Sequence, residues 1–389
     1  MGDGDSSRKY RFLVLGGTGF IGRHLVDFLL KHNLATKIRV VDKVPPQMGW
    51  LNANHKVVFE DPIVEYKSAN LINQASCKAA FEGSDEPFDF AVNLAGETKI
   101  NLPDSVYQEG IVKLSENCAK EAIAHNIKRY IEISSGHIYA EGKKPSQEEC
   151  ALDPWTAVAR FKRDVEKTLE AFKDLDYVIL RPALVYGVAD KRSITPRILV
   201  GAVYKHLKET MKASFYLLWT KDLKMNTVHV SDLCSAVWHL CLHGNAREVY
   251  NVVDPGDTTQ GKITDIICEI FGVNHGYWGT AASFLAKAIS MIVFSFKIFQ
   301  ADMQGAVQEI NEKHLAPWAE ACQKDAIANT PLSPYLSQEL LYDKNLCMDG
   351  SKLQSIGFTY RVPEINRDCI NEIIDDYIQM NIFPKSLIK

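Results

Sequence analysis

The stretch FLVLGGTGFIGRHL, residues 12–25, decides how this chain folds. An apolar run ends abruptly at a cluster of glycines, and a helical apolar pattern that includes Ile21, Leu25 and Leu29 follows at once. This order predicts a buried strand, a tight turn and a helix whose first N–H groups remain open. Open N–H groups and the positive end of the helix dipole favour an anion, above all a pyrophosphate.

Three of the four glycines in this stretch have different tasks. Gly16 permits the turn, Gly19 lets the backbone approach phosphate groups, and Gly22 lets the helix pack close to the strand. Phe20 and Ile21 contribute the first backbone N–H groups of the helix. We therefore predict that Gly16, Gly19, Phe20, Ile21 and Gly22 bind the phosphates of a dinucleotide.

A second strand, residues 38–42, ends in a carboxylate twenty residues after Gly22. This is the position at which a dinucleotide-binding unit holds a ribose hydroxyl. The Asp42 carboxylate accepts hydrogen bonds from the free ribose of NAD and repels the extra phosphate of NADP. Lys43 and Arg39 would partly offset that repulsion. The sequence predicts NAD as the cofactor.

The composition is that of an ordinary globular protein. The 389 residues are 46% hydrophobic and 24% charged, with a formal net charge of −4. These values exclude a disordered chain and give no electrostatic reason to expect a nucleic-acid partner. The nine cysteines are scattered without a Cys-x-x-Cys pair, which favours reduced thiols and no metal site. The polar first residues lack the apolar core of a signal peptide, so we expect a cytoplasmic protein.

Strand patterns alternate with helical patterns along the first two thirds of the chain. Such alternation predicts an α/β fold with a doubly wound parallel sheet. The main strand predictions are residues 57–59, 64–66, 88–96, 128–134, 177–182 and 249–254. Long helices are predicted near 105–125 and 154–172, the second of them opened by Asp153 as its N-cap and Pro154 in its first turn.

Two further strand ends offer contacts to a cofactor. Asn70 and Leu71 follow the third strand, where the Asn70 carboxamide would bond an adenine amino group; a simple turn residue is the alternative. Leu94, Ala95 and Gly96 follow the fourth strand, where small residues let a flat ring or a ribose lie against the backbone.

The order of these signals resembles the extended short-chain dehydrogenase/reductase superfamily, in its NAD-dependent epimerase/dehydratase branch. The resemblance extends over about residues 10–365 and rests on these pieces: GGTGFIG at 16–22, NLAG at 93–96, Ser134-Ser135 with Tyr139, Lys162 with Glu166, Arg181-Pro182 with 185–187, 229–232, and Gly357-Phe358 with Pro363.

The resemblance implies a Rossmann domain with a smaller, discontinuous, mainly helical substrate or cap domain. We expect the NAD-binding domain in residues 8–187 plus 226–256, and the substrate and cap region in 188–225 plus 257–389. The chemistry implied is reversible hydride transfer at a secondary alcohol of a small-molecule substrate, which includes oxidoreductase and isomerase reactions.

One departure from the family concerns its acid–base group. The family has a tyrosine four residues before the helix lysine, and alignment on Lys162 and Glu166 places Val158 there. Valine cannot transfer a proton, and the loss of a positioned acid–base group typically lowers the rate 10²–10⁴-fold. Ser135 matches the family's substrate-orienting serine, and His137 could replace the tyrosine because histidine titrates near neutrality. Lys162 would keep its contact to the nicotinamide ribose.

Three functions follow from these residues. The first is an atypical NAD-dependent epimerase/dehydratase acting on a sugar nucleotide or another bulky substrate, with Ser135, His137 and Lys162 as catalytic residues. The second is a catalytically silent NAD-binding scaffold or sensor subunit. The third is a sterol or isoprenoid dehydrogenase at a membrane surface, because Met225 stands where nucleotide-sugar members commonly have an arginine. We favour an enzyme.

Residues 280–299 include the most apolar stretch of the chain, interrupted by Lys287 and Lys297. The uncharged run between the two lysines is too short to span a bilayer. A buried cap helix, a lid over an apolar substrate and peripheral membrane contact remain as interpretations. Relatives often dimerise through two long helices, so a homodimer is a further expectation.

Overall fold

The structure is a computed structural model that describes residues 8–142, 144–211, 215–280, 300–336, 339 and 343–388. The described chain divides into two compact units. The first unit extends to Ala183 and adds Val228–Asp254 and Met348–Val362. The second consists of the described parts of Leu184–Thr227, Pro255–Cys347 and 363–389.

Strands and helices alternate as the sequence predicts. The strands are β1 (Tyr10–Leu15), β2 (Ala35–Asp42), β3 (Val64–Ser68), β4 (Phe90–Asn93), β5 (Arg129–Ile133), β6 (Tyr177–Pro182), β7 (Leu184–Tyr186), β8 (Phe215–Leu217), β9 (Thr227–His229), β10 (Glu248–Val252) and β11 (His275–Tyr277). The helices up to residue 271 are α1 (Phe20–Lys31), α2 (Ala53–Phe59), α3 (Gln74–Phe81), α4 (Asp104–Tyr107), α5 (Leu114–Ala124), α6 (Ala157–Glu170), α7 (Thr195–Met211), α8 (Val230–His243) and α9 (Gln260–Phe271). A π-helical turn, Gln108–Lys113, joins α4 to α5, and three later helices span Gln300–Lys324, Ser351–Ser355 and Arg367–Gln379.

Seven strands in the described part of the first unit form one sheet in the order β10-β6-β5-β4-β1-β2-β3, and every pair in it is parallel. This is the doubly wound α/β sheet that the sequence predicts. The order reverses between β1 and β4, so the carboxyl ends of these two strands mark the switch point at which such sheets bind ligands. β1 is apolar because both faces of a parallel sheet are covered: Phe12 through Leu15 are fully buried.

A hydrophobic core fills the space between the sheet and helices α3, α5 and α6. The sheet contributes Leu13, Leu15 and Ala91, and α6 contributes Phe161 and Val165, all of them buried. Burial of leucine, valine and phenylalanine side chains such as these stabilises the fold by about 1.5–3 kcal/mol each. The packing holds α6 against β5, and this places the helix lysine of the predicted site.

Two local predictions were wrong. Residues 57–59 are not a strand but the end of α2, since the Asn52 side chain accepts a hydrogen bond from His55 N and starts a helix there. Helix α6 is capped by Thr156, whose hydroxyl accepts from Ala159 N at 3.1 Å, and not by Asp153. In both cases the side chain of the observed N-cap residue, Asn52 or Thr156, satisfies an open N–H group of the helix.

Residues 348–362 lie in the first unit, whereas the sequence analysis places them within the cap region 257–389. Local hydrogen bonds explain their position. The Tyr360 hydroxyl accepts from Val253 N at 3.1 Å, and Lys352 Nζ donates to Val249 O at 2.7 Å. The Asp232 carboxylate accepts from Arg361 N at 2.9 Å. These contacts attach the segment to β10 and α8.

The second unit is helix-rich, with α7 packed against α9. Within the described part of the chain, none of the helices combines the length and hydropathy that crossing a bilayer requires. Residues 281–299, for which the sequence analysis considers membrane contact, lie outside the described residues.

Candidate functional site

The turn after β1 is shaped by Gly16. Its φ of +79° lies in the left-handed region, where a side chain would be strained. A Cβ at this position would also lie 2.6 Å from the backbone nitrogen of Ala95. Glycine therefore allows the ends of β1 and β4 to come together at the switch point of the sheet, and it brings two of the predicted cofactor-binding residues into contact.

Helix α1 begins at this turn with an open end. Gly19 is the N-cap residue, and no side chain caps the first turn, so the N–H groups of Phe20, Ile21 and Gly22 lie at an uncapped positive helix end. A Cβ on Gly22 would lie 2.5 Å from Gly17 Cα and closer still to the Gly16 carbonyl oxygen. The close contact between helix and turn produces a cradle of backbone atoms suited to a pyrophosphate.

Arg23, which the sequence analysis did not single out, holds the glycine turn in place through hydrogen bonds. The side chain is buried, and its guanidinium donates to Thr18 O at 2.6 Å and Gly19 O at 3.0 Å. The same group donates to Gly49 O at 2.6 Å and Trp50 O at 2.8 Å. It joins the glycine turn to the loop after β2 and adds positive charge next to the anion cradle. The sequence signal for this role is an arginine directly after the GxxGFIG motif.

Asp42 lies at the carboxyl end of β2, beside the glycine turn. Its carboxylate accepts from Thr18 N at 3.2 Å and from Val44 N at 3.1 Å, which holds it next to the turn. Arg39, whose charge the sequence analysis weighs against that of Asp42, has another carboxylate as its partner. The Arg39 guanidinium donates instead to the Glu65 carboxylate at 3.3 Å.

Asn70 and Leu71, the candidates after β3, are held by local contacts. The Asn70 amide oxygen accepts from Ile72 N at 3.2 Å, which is the turn role that the sequence analysis gives as its alternative. Leu71 is buried in the hydrophobic core, and its carbonyl oxygen accepts from Asn117 Nδ2 at 3.0 Å. Contact of either residue with adenine stays a prediction.

At the end of β4, backbone atoms face the switch point. Leu94 N donates to Leu15 O at 2.9 Å, and Ala95 N donates to Asn93 Oδ1 at 3.2 Å. A Cβ on Gly96 would lie 3.9 Å from Lys162 Nζ. The helix lysine therefore reaches the edge at which β4 ends, and its contact with the nicotinamide ribose stays a prediction.

Lys162 forms an ion pair that the sequence analysis missed. Its Nζ lies 3.0 Å from Oε1 of Glu132, a fully buried residue in the middle of β5. Asn93 Nδ2 donates to the same carboxylate at 2.7 Å and Tyr130 OH at 2.9 Å. A glutamate between apolar residues of a central strand was the signal, because a buried carboxylate requires a partner.

Ser135 and His137 follow β5 and lie together. Ser135 Oγ is 3.3 Å from His137 Nδ1, and the Ser135 hydroxyl also accepts from His137 N at 3.2 Å. The His137 ring packs edge-on against Trp155 at a centroid distance of 4.6 Å. A Cβ on Gly136 would overlap Met348 Sδ and lie 3.0 Å from Pro182 O, so a side chain here would displace the methionine. The hydroxyl and the imidazole are close enough to exchange a proton.

Tyr139, the tyrosine that follows this turn, does not replace the expected acid–base group. Tyr139 is buried, donates to Asn251 Oδ1 at 2.6 Å and accepts from Arg181 Nη1 at 2.9 Å. Burial raises the pKa of Tyr139 to about 12, which suits a structural hydroxyl rather than a proton donor near neutral pH. Val158, at the position where the tyrosine is expected, packs against the hydrophobic core.

The residues of the first unit fit a dinucleotide. The uncapped helix end suits a pyrophosphate, Asp42 lies on the β2 side of it, and Lys162 lies on the β4 side. This is the order in which a dinucleotide crosses the switch point of a doubly wound sheet.

A family model described as the NAD dependent epimerase/dehydratase family matches residues 12–253, more than half of the chain. The chain belongs to this family.

Named relatives of the NAD dependent epimerase/dehydratase family are distant. A dTDP-D-glucose 4,6-dehydratase of Dictyostelium discoideum is 22% identical over 264 residues, which are 62% of this chain and 58% of the relative. A UDP-glucose 4-epimerase of Vibrio cholerae is 28% identical over 197 residues, 47% of this chain and 54% of the relative. The matched part thus spans less than two thirds of the length of either relative.

Among solved structures, the chain is similar to a dTDP-glucose 4,6-dehydratase from Streptomyces venezuelae that was crystallised with NAD and TYD bound. The TM-score is 0.66 at 18% identity, and the match covers 97% of this chain and 99% of the other. At this identity the likeness concerns the fold, and it confirms the Rossmann architecture expected for the family.

Proposed function

We propose that this chain binds NAD at the β1–α1 turn and acts on a secondary alcohol of a sugar-nucleotide-like substrate. In this proposal the Ser135–His137 pair takes the place of the family's tyrosine as the acid–base group. The observation that carries the proposal is the 3.3 Å contact between Ser135 Oγ and His137 Nδ1.

Cofactor binding rests on the chain's own geometry. The backbone cradle of Gly16, Gly19 and Gly22 suits a pyrophosphate, and Asp42 would accept hydrogen bonds from an unphosphorylated ribose. The description of the family and the NAD-bound relative support the same cofactor. Lys162 would donate to the second ribose, since an ammonium has three N–H groups and Glu132 uses one of them. Bound NAD would supply the hydride acceptor.

Proton transfer is the task that the protein itself must perform. The substrate hydroxyl would donate to Ser135 Oγ, and the Ser135 hydroxyl would donate to Nδ1 of a neutral His137. The alcohol proton would then pass through Ser135 to the imidazole, while the carbon-bound hydrogen leaves with its electron pair. Trp155, packed against the ring, limits its rotation and keeps Nδ1 directed at Ser135.

The substrate class is proposed from the relatives, two of which are named for dTDP-D-glucose and UDP-glucose. The chain's own residues give weaker support. Met225 is buried, and the ammonium of the adjacent Lys224 forms an ion pair with Asp257. We therefore expect any phosphate of the substrate to be bound by other residues than these two.

The test is absorbance at 340 nm with NAD and either dTDP-glucose or UDP-glucose, together with chromatography of the sugar product. Wild type should form a dehydrated or epimerised sugar. His137→Ala and Ser135→Ala should each lower turnover at least 100-fold. The NAD dissociation constant should not change, because neither residue belongs to the phosphate cradle.

The matched control is His32→Ala, which removes an exposed histidine after α1 and should keep full activity. Product formation that survives His137→Ala would refute the assigned role. A protein that fails to bind NAD would refute the whole proposal.

A second function, an NAD-binding subunit without turnover, is favoured by one observation. Val158, which is partly buried and packs against the hydrophobic core, stands where a proton-transferring tyrosine is expected. Tight NAD binding, with no product from either sugar nucleotide, would support this second function over the first.

Homodimer formation and membrane contact through residues 280–299 stay predictions. Light scattering of the purified protein tests the first, and flotation with anionic vesicles tests the second.

A further inference from the structure

The middle of the sheet contains a carboxylate that the proposed reaction does not use. Glu132 is fully buried in β5, between β4 and β6. Placing a charged group in such surroundings is strongly unfavourable unless partners compensate it. Its partners therefore show what the residue does.

Four donors reach this carboxylate in the described part of the chain. Oε1 accepts from Lys162 Nζ at 3.0 Å and from Ser115 Oγ at 3.3 Å. Oε2 accepts from Asn93 Nδ2 at 2.7 Å and from Tyr130 OH at 2.9 Å. A carboxylate offers about four acceptor positions, so Glu132 is saturated and is poorly placed to take a proton from a substrate.

Three of the donors are neutral, and only Lys162 brings a positive charge to the carboxylate. Lys162 Nζ lies on the path of the cofactor, since a Cβ on Gly96 would be 3.9 Å from it. With Asp42 on the β2 side of the switch point, the second nucleoside of a dinucleotide extends over the ends of β4 and β5. The buried ion pair is therefore next to the nicotinamide half of the site.

We propose that Glu132 is a positioning residue that neutralises Lys162 and thereby lets the site hold the oxidised cofactor. The nicotinamide ring of NAD⁺ is a cation, whereas that of NADH is neutral. An uncompensated ammonium beside the ring would repel the oxidised form alone. The ion pair between Glu132 and Lys162 removes this repulsion. This inference rests on the proposed binding of NAD.

The quantity that tests the inference is the ratio of the dissociation constants for NAD⁺ and NADH, measured by calorimetry at fixed pH and salt. Glu132→Gln keeps the shape of the side chain and leaves the Lys162 ammonium uncompensated. Because a unit charge within about 12 Å acts on the ring through an effective dielectric of about 20, the ratio should rise at least tenfold. If Glu132 had a purely structural role, the substitution would weaken the binding of both cofactor forms equally.

Two further variants separate charge from structure. The double variant Glu132→Gln/Lys162→Met has no charge at this place, and its ratio should return to the wild-type value. Glu132→Asp keeps the charge and should keep the ratio. Should Glu132→Gln alone fail to fold, Lys162→Met and the double variant still provide a comparison, with the ratio lower in Lys162→Met than in the double variant.

Glu166→Gln is the matched control. Glu166 lies one turn after Lys162 on α6 and is paired with Arg181 on β6, on the side of β5 away from β4. The Glu166→Gln variant should have a lower melting temperature and an unchanged ratio of the NAD⁺ and NADH dissociation constants. An unchanged ratio in both Glu132→Gln and Lys162→Met would overturn the inference while leaving NAD binding intact. A wild type that binds neither form would overturn both this inference and the proposed function.

Discussion

The contact between helix α1 and the glycine turn predicts a severe effect of the smallest substitution, Gly22→Ala. The added methyl group would lie 2.5 Å from Gly17 Cα and closer to the Gly16 carbonyl oxygen. Both are backbone atoms of a turn that Arg23 holds through several carbonyl groups, so they cannot move aside as a flexible side chain would.

The magnitude follows from two opposing terms. Overpacking typically costs about 1–3 kcal/mol, and a backbone contact this short belongs at the upper end. Alanine is favoured over glycine in a helix by about 1 kcal/mol. We therefore expect Gly22→Ala to lower the free energy of unfolding by about 2 kcal/mol. A turn displaced by the methyl group should also weaken NAD binding at least tenfold, or about 1.4 kcal/mol.

The assay is urea unfolding followed by tryptophan fluorescence, with calorimetry for NAD. Gly49→Ala is the matched control, because a Cβ there would meet its nearest neighbour, Pro46 O, at an ordinary 3.4 Å. The control should be within about 0.5 kcal/mol of wild type. A Gly22→Ala protein as stable as the control, with unchanged NAD affinity, would show that this contact does not limit the site.

Three other predictions concern charge. Glu166→Gln breaks the buried pair with Arg181 and should lower the free energy of unfolding by about 3–5 kcal/mol, whereas Asp104→Asn in an exposed pair should change it by less than about 1 kcal/mol; thermal unfolding compares them. Burial lowers the pKa of His55 to about 3, so between pH 6.5 and 3 the unfolded state binds more protons than the folded state. The free energy of unfolding therefore falls as the pH falls, by about 2 kcal/mol at pH 5. Urea titrations at pH 7 and 5 should show a smaller loss in His55→Asn than in wild type. Asp42→Asn removes the charge that repels a ribose phosphate and should narrow the preference for NAD over NADP about tenfold in calorimetry; an unchanged preference would mean that Asp42 does not select the cofactor.

The sheet and the anion cradle could be predicted from the sequence because local patterns specify them. An apolar run followed by GGTGFIG contains both the strand and the turn, and the structure has β1 and α1 there. Local polar groups explain the two wrong predictions: Asn52 starts a helix that includes 57–59, and Thr156 rather than Asp153 caps α6. Several candidate caps lie close together in such stretches, and tertiary packing chooses among them.

The ion pair of Glu132 and Lys162 could not be found by spacing, because its partners come from β5 and α6, thirty residues apart in the chain. The sequence shows that Glu132 lies in an apolar strand, and burial then requires a partner, but only the packing of α6 on the sheet identifies Lys162. Arg23 is similar, since its acceptors include the loop at Gly49 and Trp50.

The return of residues 348–362 to the first unit has a consequence for protein synthesis. Val253 N, the Asp232 carboxylate and Val249 O form hydrogen bonds with Tyr360, Arg361, Val362 and Lys352 of this segment. The nucleotide-binding unit therefore cannot complete its folding on the ribosome when β10 emerges; it must wait for about a hundred more residues, which belong mostly to the second unit. During that interval the edge strand β10 lacks its final cover.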